Sequence, residues 1–190
     1  SQISASYLDS ASAERNSSLK LLTEHVAKGR SLQVIEKECY ALLARNPYHA
    51  QARVQRSKAY LREGKHKEAL ADANAAIAAN PNVREAYLHR ALLMLRDLPS
   101  EMRDATKGNL DVQAAVALEG GGNRALLRYA QALAAWQTGS ETKTQEHLTK
   151  CLEEDENFAW AYDLKARMLE NQGKKSDAAA ARKKFEELNK

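Results

Sequence analysis

Apolar residues recur along the chain at intervals of three and four residues, the spacing of helices with one buried face. Sustained alternation of apolar and polar residues, which would indicate strands, is almost absent. The alanine-rich stretch EALADANAAIAANPN, residues 68–82, closes on Asn80 and Pro81. Proline cannot donate the next helical hydrogen bond and biases the residue before it out of the helix. This stretch therefore predicts a closely packed helix from about Lys67 to Ala79 in an all-α protein.

The sequence repeats with a regular period. Pro47 and Pro81 stand one period of about 34 residues apart, and so do Gly139 and Gly173. The surroundings of these two glycines resemble those of Gly64. Each period predicts one helix, a short glycine turn and a second helix. The interval from Gly64 to Gly139 is longer than two such periods, which predicts an insert in the middle of the chain, around the sequence DLPSEMRDATKG.

A helix–turn–helix unit of this period, with small residues at fixed places, a glycine turn and a closing proline, resembles the tetratricopeptide repeat. Three units depart from the family pattern, because Arg56, Arg90 and Lys165 stand where the first helix usually has a leucine. The unit 50–83 matches the family at its small, aromatic, turn and proline places, with Ser57, Tyr60, Gly64, Ala69, Ala76 and Pro81.

The resemblance implies a right-handed α-solenoid, a superhelix of antiparallel helix hairpins, over residues 16–190. Residues 1–15 are predicted to form a polar N-terminal lead-in. The predicted repeat units are approximately 16–49, 50–83, 84–122 with the insert, 123–158, and 159–190 with the C-terminal helix.

The composition excludes several classes of protein. Charged residues make up 28% of the chain and the formal net charge is +4, which suits a folded soluble protein. Lysines and arginines form no dense block interleaved with aromatic residues, so no nucleic-acid partner is expected. No apolar run is long enough for a membrane span and the polar N-terminus is not a signal peptide, so we expect a cytoplasmic protein. Cys39 and Cys151 lack CxxC spacing and are expected to be buried thiols in a reducing compartment.

Motifs that carry catalysis are missing from the sequence. The five histidines form no HExxH motif and no close pair with metal-ligand spacing, and GxSxG and GxxxxGK are absent. The run Gly120–Gly122 lacks the strand and the lysine of a phosphate-binding loop, which favours a turn between helices. Cys151 falls on a small-residue place, which favours packing over nucleophilic attack. We therefore expect no catalytic residue, no metal site and no cofactor, and we predict that the protein is not an enzyme.

The resemblance also implies where a ligand binds. In tetratricopeptide-repeat proteins the first helix of each hairpin lines an inner, concave surface that holds an extended peptide or a partner helix. Helical periodicity, with Tyr60, Ala91, Ala130 and Ala166 assigned to packing, predicts a basic central groove with leucines between the cations. The one tryptophan predicted in this groove, Trp160, is either an anchor for the partner or packs against the preceding helix. The predicted groove residues are Lys58, Arg62, His89, Arg96, Arg124, Arg128 and Trp160.

Guanidinium groups fixed in a partly dry groove bind carboxylates through charge-assisted hydrogen bonds. The prediction is therefore a non-catalytic adaptor or scaffold whose protein partner contributes an acidic segment or a C-terminal carboxylate, as in co-chaperones. A standard chaperone clamp is not supported, because Val54 and His89 replace its lysine and asparagine, while a variant clamp stays open. Two alternatives also stay open: the cations only solvate helix faces, or the protein is a structural scaffold that assembles a complex or self-oligomerises through its convex face or its insert.

Overall fold

The computed structural model describes residues 16–118 and 122–190. The predicted lead-in, residues 1–15, and the first two glycines of the run 120–122 lie outside the described residues. Every regular element in the described part is a helix, so the predicted all-α array of helical hairpins is confirmed. The described part of the chain divides into two compact units, unit 1 up to Arg90 and unit 2 from Ala91 to Lys190.

Unit 1 contains helices that pair in the order of the chain. α3 packs closely against α4, and α2 packs against α3. Gly64 makes the turn between α3 and α4 with a φ of 71°, a left-handed conformation that favours glycine. The elements are α1 (16–27), α2 (Leu32–Arg45), α3 (Ala50–Arg62), α4 (His66–Ala79) and the greater part of α5 (Arg84–Leu92).

The alanine-rich stretch forms α4 and ends at the predicted residue. Asn80 has left the helix, with a φ of −150° and a ψ of 100°, just before Pro81. Ala69, Ala73 and Ala76 are fully buried. Because methyl groups at these places let neighbouring helices approach closely, the alanines belong to the packed core of unit 1.

Arginine replaces the usual leucine in two first helices because α4 supplies polar partners. Arg56 is buried and donates two hydrogen bonds to the Asp72 carboxylate, with N···O distances of 2.7 and 2.8 Å. Arg90 donates to the side-chain oxygen of Asn74 at 2.9 Å. A buried charge is tolerated only with such a partner, so Asp72 compensates the arginine at position 56, while Asn74 gives the half-buried Arg90 a hydrogen-bond acceptor.

Unit 2 begins with irregular helix and continues as two regular hairpins. α7 packs closely against α8, and α9 against α10, while α6 contacts α7. The predicted insert lies between the end of α5 and the start of α6. The elements are a π-helical segment (Leu93–Asp97), a 3₁₀ turn (Ser100–Met102), α6 (Ala105–Ala117), α7 (Arg124–Gln137), α8 (Glu141–Glu154), α9 (Ala159–Asn171) and α10 (Lys175–Leu188).

A glycine lets α6 lie directly on the π-helical segment. A Cβ atom on Gly108 would stand 2.6 Å from Cγ of Leu95 and 3.2 Å from Cβ of Met94. The backbone N–H of Leu98 donates to the carbonyl of Leu93, the hydrogen-bond spacing of a π-helix. This close contact fixes the chain on both sides of the insert.

Candidate functional site

The predicted groove lysine and arginine of unit 1 are engaged within the unit. The Lys58 ammonium lies 3.0 Å from the Glu85 carboxylate, and both side chains are 40% exposed. Arg62 donates to the backbone carbonyls of Val26 and Arg30, where the chain leaves α1. Arg62 thereby ties the segment after α1 to the end of α3.

His89 is not the exposed groove cation that the sequence predicts. Its side chain is buried, and its Nε2 lies 2.6 Å from Oγ of Ser57. The Ser57 hydroxyl donates its proton to the carbonyl of Ala69, also at 2.6 Å, so the oxygen accepts from the N–H of His89. Burial and the nearby charge of Lys58 lower the pKa of His89 to about 3. The imidazole is therefore a neutral core group, because a buried position opposes its protonation.

Most of the leucines expected between the groove cations are buried as well, while Leu127 is half-buried. Leu88, Leu92 and Leu164 are between 0% and 8% exposed, and Val54 is fully buried. These side chains belong to the core instead of a ligand-binding surface. The helical period places them correctly on the first helices but does not reveal how deeply the neighbouring helices cover them.

Unit 2 brings Arg96 and Trp160 together with a buried tyrosine. The Arg96 guanidinium lies 4.1 Å from the ring centroid of Trp160 and 5.5 Å from that of Tyr129. Arg96 also donates to the Tyr129 hydroxyl at 3.2 Å and forms two hydrogen bonds to the Asp97 carboxylate. Trp160 contacts Phe185 at a centroid distance of 5.2 Å and remains 38% exposed. We call the surface formed by Arg96 and Trp160 the aromatic face; Tyr129 is fully buried and supports Arg96.

The charges at the aromatic face are largely neutralised. Asp97 pairs with Arg96, and Asp163 pairs with Arg167 at 3.1 Å. Arg182 also approaches Asp163, at 3.4 Å. The aromatic face therefore offers an exposed ring and a stacked guanidinium plane, with the cation at its centre already paired.

The other two predicted arginines, both on α7, lie elsewhere in unit 2. Arg124 is 69% exposed and its Nε lies 3.1 Å from the Glu154 carboxylate. Arg128 donates to Oε1 of Gln131 at 3.1 Å. The residue of α7 that contacts Arg96 is Tyr129. The sequence predicted Arg128 in one groove with Arg96 and Trp160, and the structure does not bring these three residues together.

Arg128 instead lies beside a cleft between α6, α7 and α8, which sequence reasoning missed. Its volume is about 420 Å³. Apolar residues such as Val112 and Ala135 form part of the wall. We call it the polar cleft after the side chains that line the remainder: Asn109, Gln113, Gln131, Thr138, Lys143 and His147.

The acidic, basic and thiol side chains of the described residues show no arrangement for metal or nucleophilic chemistry. In the described ranges no three of the histidine, cysteine, aspartate and glutamate side chains are placed to hold a metal ion. Cys39 and Cys151 are buried free thiols, and burial raises their pKa values to about 11 and about 12. Both thiols therefore stay protonated at neutral pH, which opposes nucleophilic chemistry. Among the described helices none is long and apolar enough to cross a membrane.

Comparison with solved structures identifies the fold. No family model and no curated protein matches the chain. A structure of PilF from Pseudomonas aeruginosa matches with a TM-score of 0.70 at 14% identity, covering 92% of this chain and 76% of that one. TTC0263, a tetratricopeptide-repeat protein of Thermus thermophilus, matches with a TM-score of 0.68 at 18% identity, covering 92% and 91%.

A third solved structure, YrrB, is described as a tetratricopeptide-repeat protein with an unusual peptide-binding site. It matches with a TM-score of 0.53 at 16% identity, covering 79% of this chain and 74% of YrrB. These similarities agree with the helical hairpins and with the period of the sequence. The chain therefore has the fold of the tetratricopeptide-repeat proteins.

Proposed function

We propose that this protein is a non-catalytic adaptor that binds a peptide segment of a partner protein, and that Trp160 on the aromatic face anchors this segment. The observation that carries the proposal is an exposed tryptophan held in place by its neighbours. Arg96 stacks on one part of Trp160 and Phe185 contacts another, yet 38% of the residue remains exposed. Ordering such a side chain on binding costs little, because its neighbours already restrict its rotamers.

The composition of the aromatic face supports the same function. Tryptophan and arginine are among the residues most enriched at the energetic centres of protein interfaces. Because Asp97 already neutralises Arg96, an apolar or aromatic side chain suits the aromatic face better than a carboxylate. YrrB is described as having a peptide-binding site, and peptide binding by a protein of this fold agrees with the proposed function.

Two buried free thiols favour a reducing compartment, and we place the adaptor in the cytoplasm.

A display library of random peptides tests this proposal even though the partner is unidentified. The experiment uses the variant Trp136→Phe, which leaves Trp160 as the single fluorescent tryptophan of the two in the chain. Selected peptides are expected to shift Trp160 fluorescence and to bind at least tenfold more weakly after Trp160→Ala, because the anchor is lost.

Tyr48→Ala is the matched control, since Tyr48 is an aromatic residue of unit 1 that is 70% exposed. It should leave peptide binding unchanged, and thermal melts of all variants establish that they remain folded. Selected peptides that bind Trp160→Ala as tightly as the parent, or a library that yields no binder, would overturn the aromatic face as a binding site.

The second candidate function is a structural scaffold that assembles a complex or self-oligomerises through another face or the insert. It is favoured by α6, the helix that follows the insert, because Leu110 is 58% exposed and Val116 is 48% exposed. Sedimentation at high protein concentration distinguishes the self-assembling form. A species larger than a monomer that Leu110→Ser dissociates would support it, and a monomer throughout would exclude it.

A further inference from the structure

We propose that the polar cleft binds a glutamate or aspartate side chain of a partner protein. This inference rests on the proposed adaptor function and names a second recognition site of unit 2. It also assigns the acidic partner predicted from the sequence to the polar cleft between α6, α7 and α8. The occupant is a peptide segment whose side-chain carboxylate enters the cleft.

The lining of the polar cleft matches a carboxylate in size and charge. Its volume of about 420 Å³ admits a side chain and the adjoining backbone, and none of its lining residues is acidic. Lys143 supplies a cation at the wall. A carboxylate would therefore meet a positive group without a competing acid in the lining.

The orientation of the Gln131 amide adds a donor for the ligand. Its Oε1 accepts a hydrogen bond from Arg128 at 3.1 Å, which leaves the NH₂ group for another partner. A carboxylate accepts from this NH₂ group and from the Lys143 ammonium. The volume of the cleft also has room for the backbone beside that carboxylate, which suits a peptide segment better than a phosphate ion.

The electrostatic environment of His147 points in the same direction. Burial lowers the pKa of His147, the Glu146 carboxylate opposes this effect, and the positive charges of Lys150, Arg128 and Lys143 lower the pKa further. Lys150 is itself paired with Glu146 at 2.6 Å, which leaves Arg128 and Lys143 as the cations that act on the ring. The cations belong to α7 and α8, and the lining residues of α6 are uncharged. This predominance of positive charge is complementary to an acidic side chain.

The test is an NMR titration of the ¹⁵N-labelled full chain with two peptides blocked at both ends. One peptide has three consecutive glutamates between glycines, and the other has glutamines in their place. The glutamate peptide is expected to shift the backbone amides of Asn109, Gln131 and His147, and to bind at least tenfold more tightly than the glutamine peptide. Lys143→Gln is expected to weaken its binding about tenfold.

Arg124→Gln is the matched control, because it removes one positive charge from α7 at an exposed side chain whose ion-pair partner is Glu154. It should leave the affinity of the glutamate peptide unchanged. Equal binding of both peptides, equal loss in Arg124→Gln and Lys143→Gln, or shifts centred on Trp160 would each overturn the proposal. So would competition by phosphate alone, or tighter binding of an alanine peptide with a free C-terminal carboxylate.

The two proposals fail in distinguishable ways. Trp160→Ala should leave binding of the glutamate peptide intact, whereas Lys143→Gln should leave intact the binding of peptides selected on the aromatic face. Loss of the glutamate peptide in Trp160→Ala would refute a separate acidic site. Binding of the glutamate peptide alone, with no peptide selected on the aromatic face, would refute the aromatic face and support the polar cleft.

Discussion

The buried histidine of unit 1 should make the protein less stable in mild acid. The folded chain holds His89 neutral with a pKa of about 3, because its ring is buried beside Ser57 and near the charge of Lys58. An unfolded histidine titrates near 6.5. Between these values the unfolded chain binds a proton that the folded chain does not, so acidification lowers the free energy of unfolding. Below pH 3 both states are protonated and the effect reaches its limit.

The magnitude follows from the two pKa values. Lowering the pH from 6.5 to 4.5 protonates the unfolded imidazole almost completely and leaves the folded one almost entirely neutral. By proton linkage, this change costs about 2 kcal/mol of stability from His89 alone. A loss of that size is a large part of the stability of a typical domain.

Urea unfolding of the wild type and of His89→Gln at pH 6.5 and pH 4.5 isolates this contribution. Glutamine can still donate to Ser57 but does not titrate, so the acid-induced loss should be about 2 kcal/mol smaller in the variant. Other titrating groups are common to both proteins and cancel in the comparison. An identical loss in both proteins would refute the buried, neutral imidazole. The control is His25→Gln, which removes a half-buried histidine of the same unit.

Three further predictions concern packing and thiol chemistry. Asp72→Ala should cost about 3–5 kcal/mol because it leaves Arg56 buried without its carboxylate, whereas Arg56→Leu combined with Asp72→Ala should cost much less; urea unfolding measures both. Gly108→Ala should cost about 1–3 kcal/mol by the same assay, since the added methyl overlaps the π-helical segment, and a neutral result would contradict that contact. Cys39 and Cys151 should resist a thiol reagent until urea unfolds the chain; rapid labelling of the native protein would contradict their burial.

The helical hairpins were predictable because their signals are local. A proline that ends a helix and a glycine in a left-handed turn act through the backbone of a few residues, and the period of the sequence repeats them. The prediction of a helix from about Lys67 to Ala79 is therefore close to the observed α4, His66–Ala79. The compensation of Arg56 by Asp72 was not predicted, because it depends on which side chains face each other across two helices.

The face that α7 presents was not predicted. The residue assigned to packing, Ala130, was not placed by its distance from the glycine turn at Gly139. In α9 the small residue Ala166 precedes Gly173 by seven positions. Seven positions before Gly139 stands Ala132, and the prediction used Ala130. Both alanines are fully buried, so burial preference alone cannot distinguish the two registers. The glycine turn was the signal that could have resolved the register.

The availability of a cation also depends on neighbours that a sequence does not display. Of the predicted groove residues, Lys58 is paired with Glu85, Arg96 with Asp97, and His89 is buried and neutral. Each partner lies within a few residues or one repeat away, but nothing in the helical period assigns the pairs. A basic residue on a helix face is therefore weak evidence for an acidic ligand until its own partners are known.

The position of α7 between the two proposed sites leads to a last prediction. Tyr129 contacts Arg96 at the aromatic face, and Gln131 lines the polar cleft. Residues two positions apart in an α-helix, such as Tyr129 and Gln131, differ by roughly 200° around its axis. The two sites therefore lie on opposite sides of α7. The effects of Trp160→Ala and Lys143→Gln on a partner that uses both sites should therefore add as free energies in a double-mutant cycle. A coupling above about 0.5 kcal/mol would show instead that one continuous surface binds the partner.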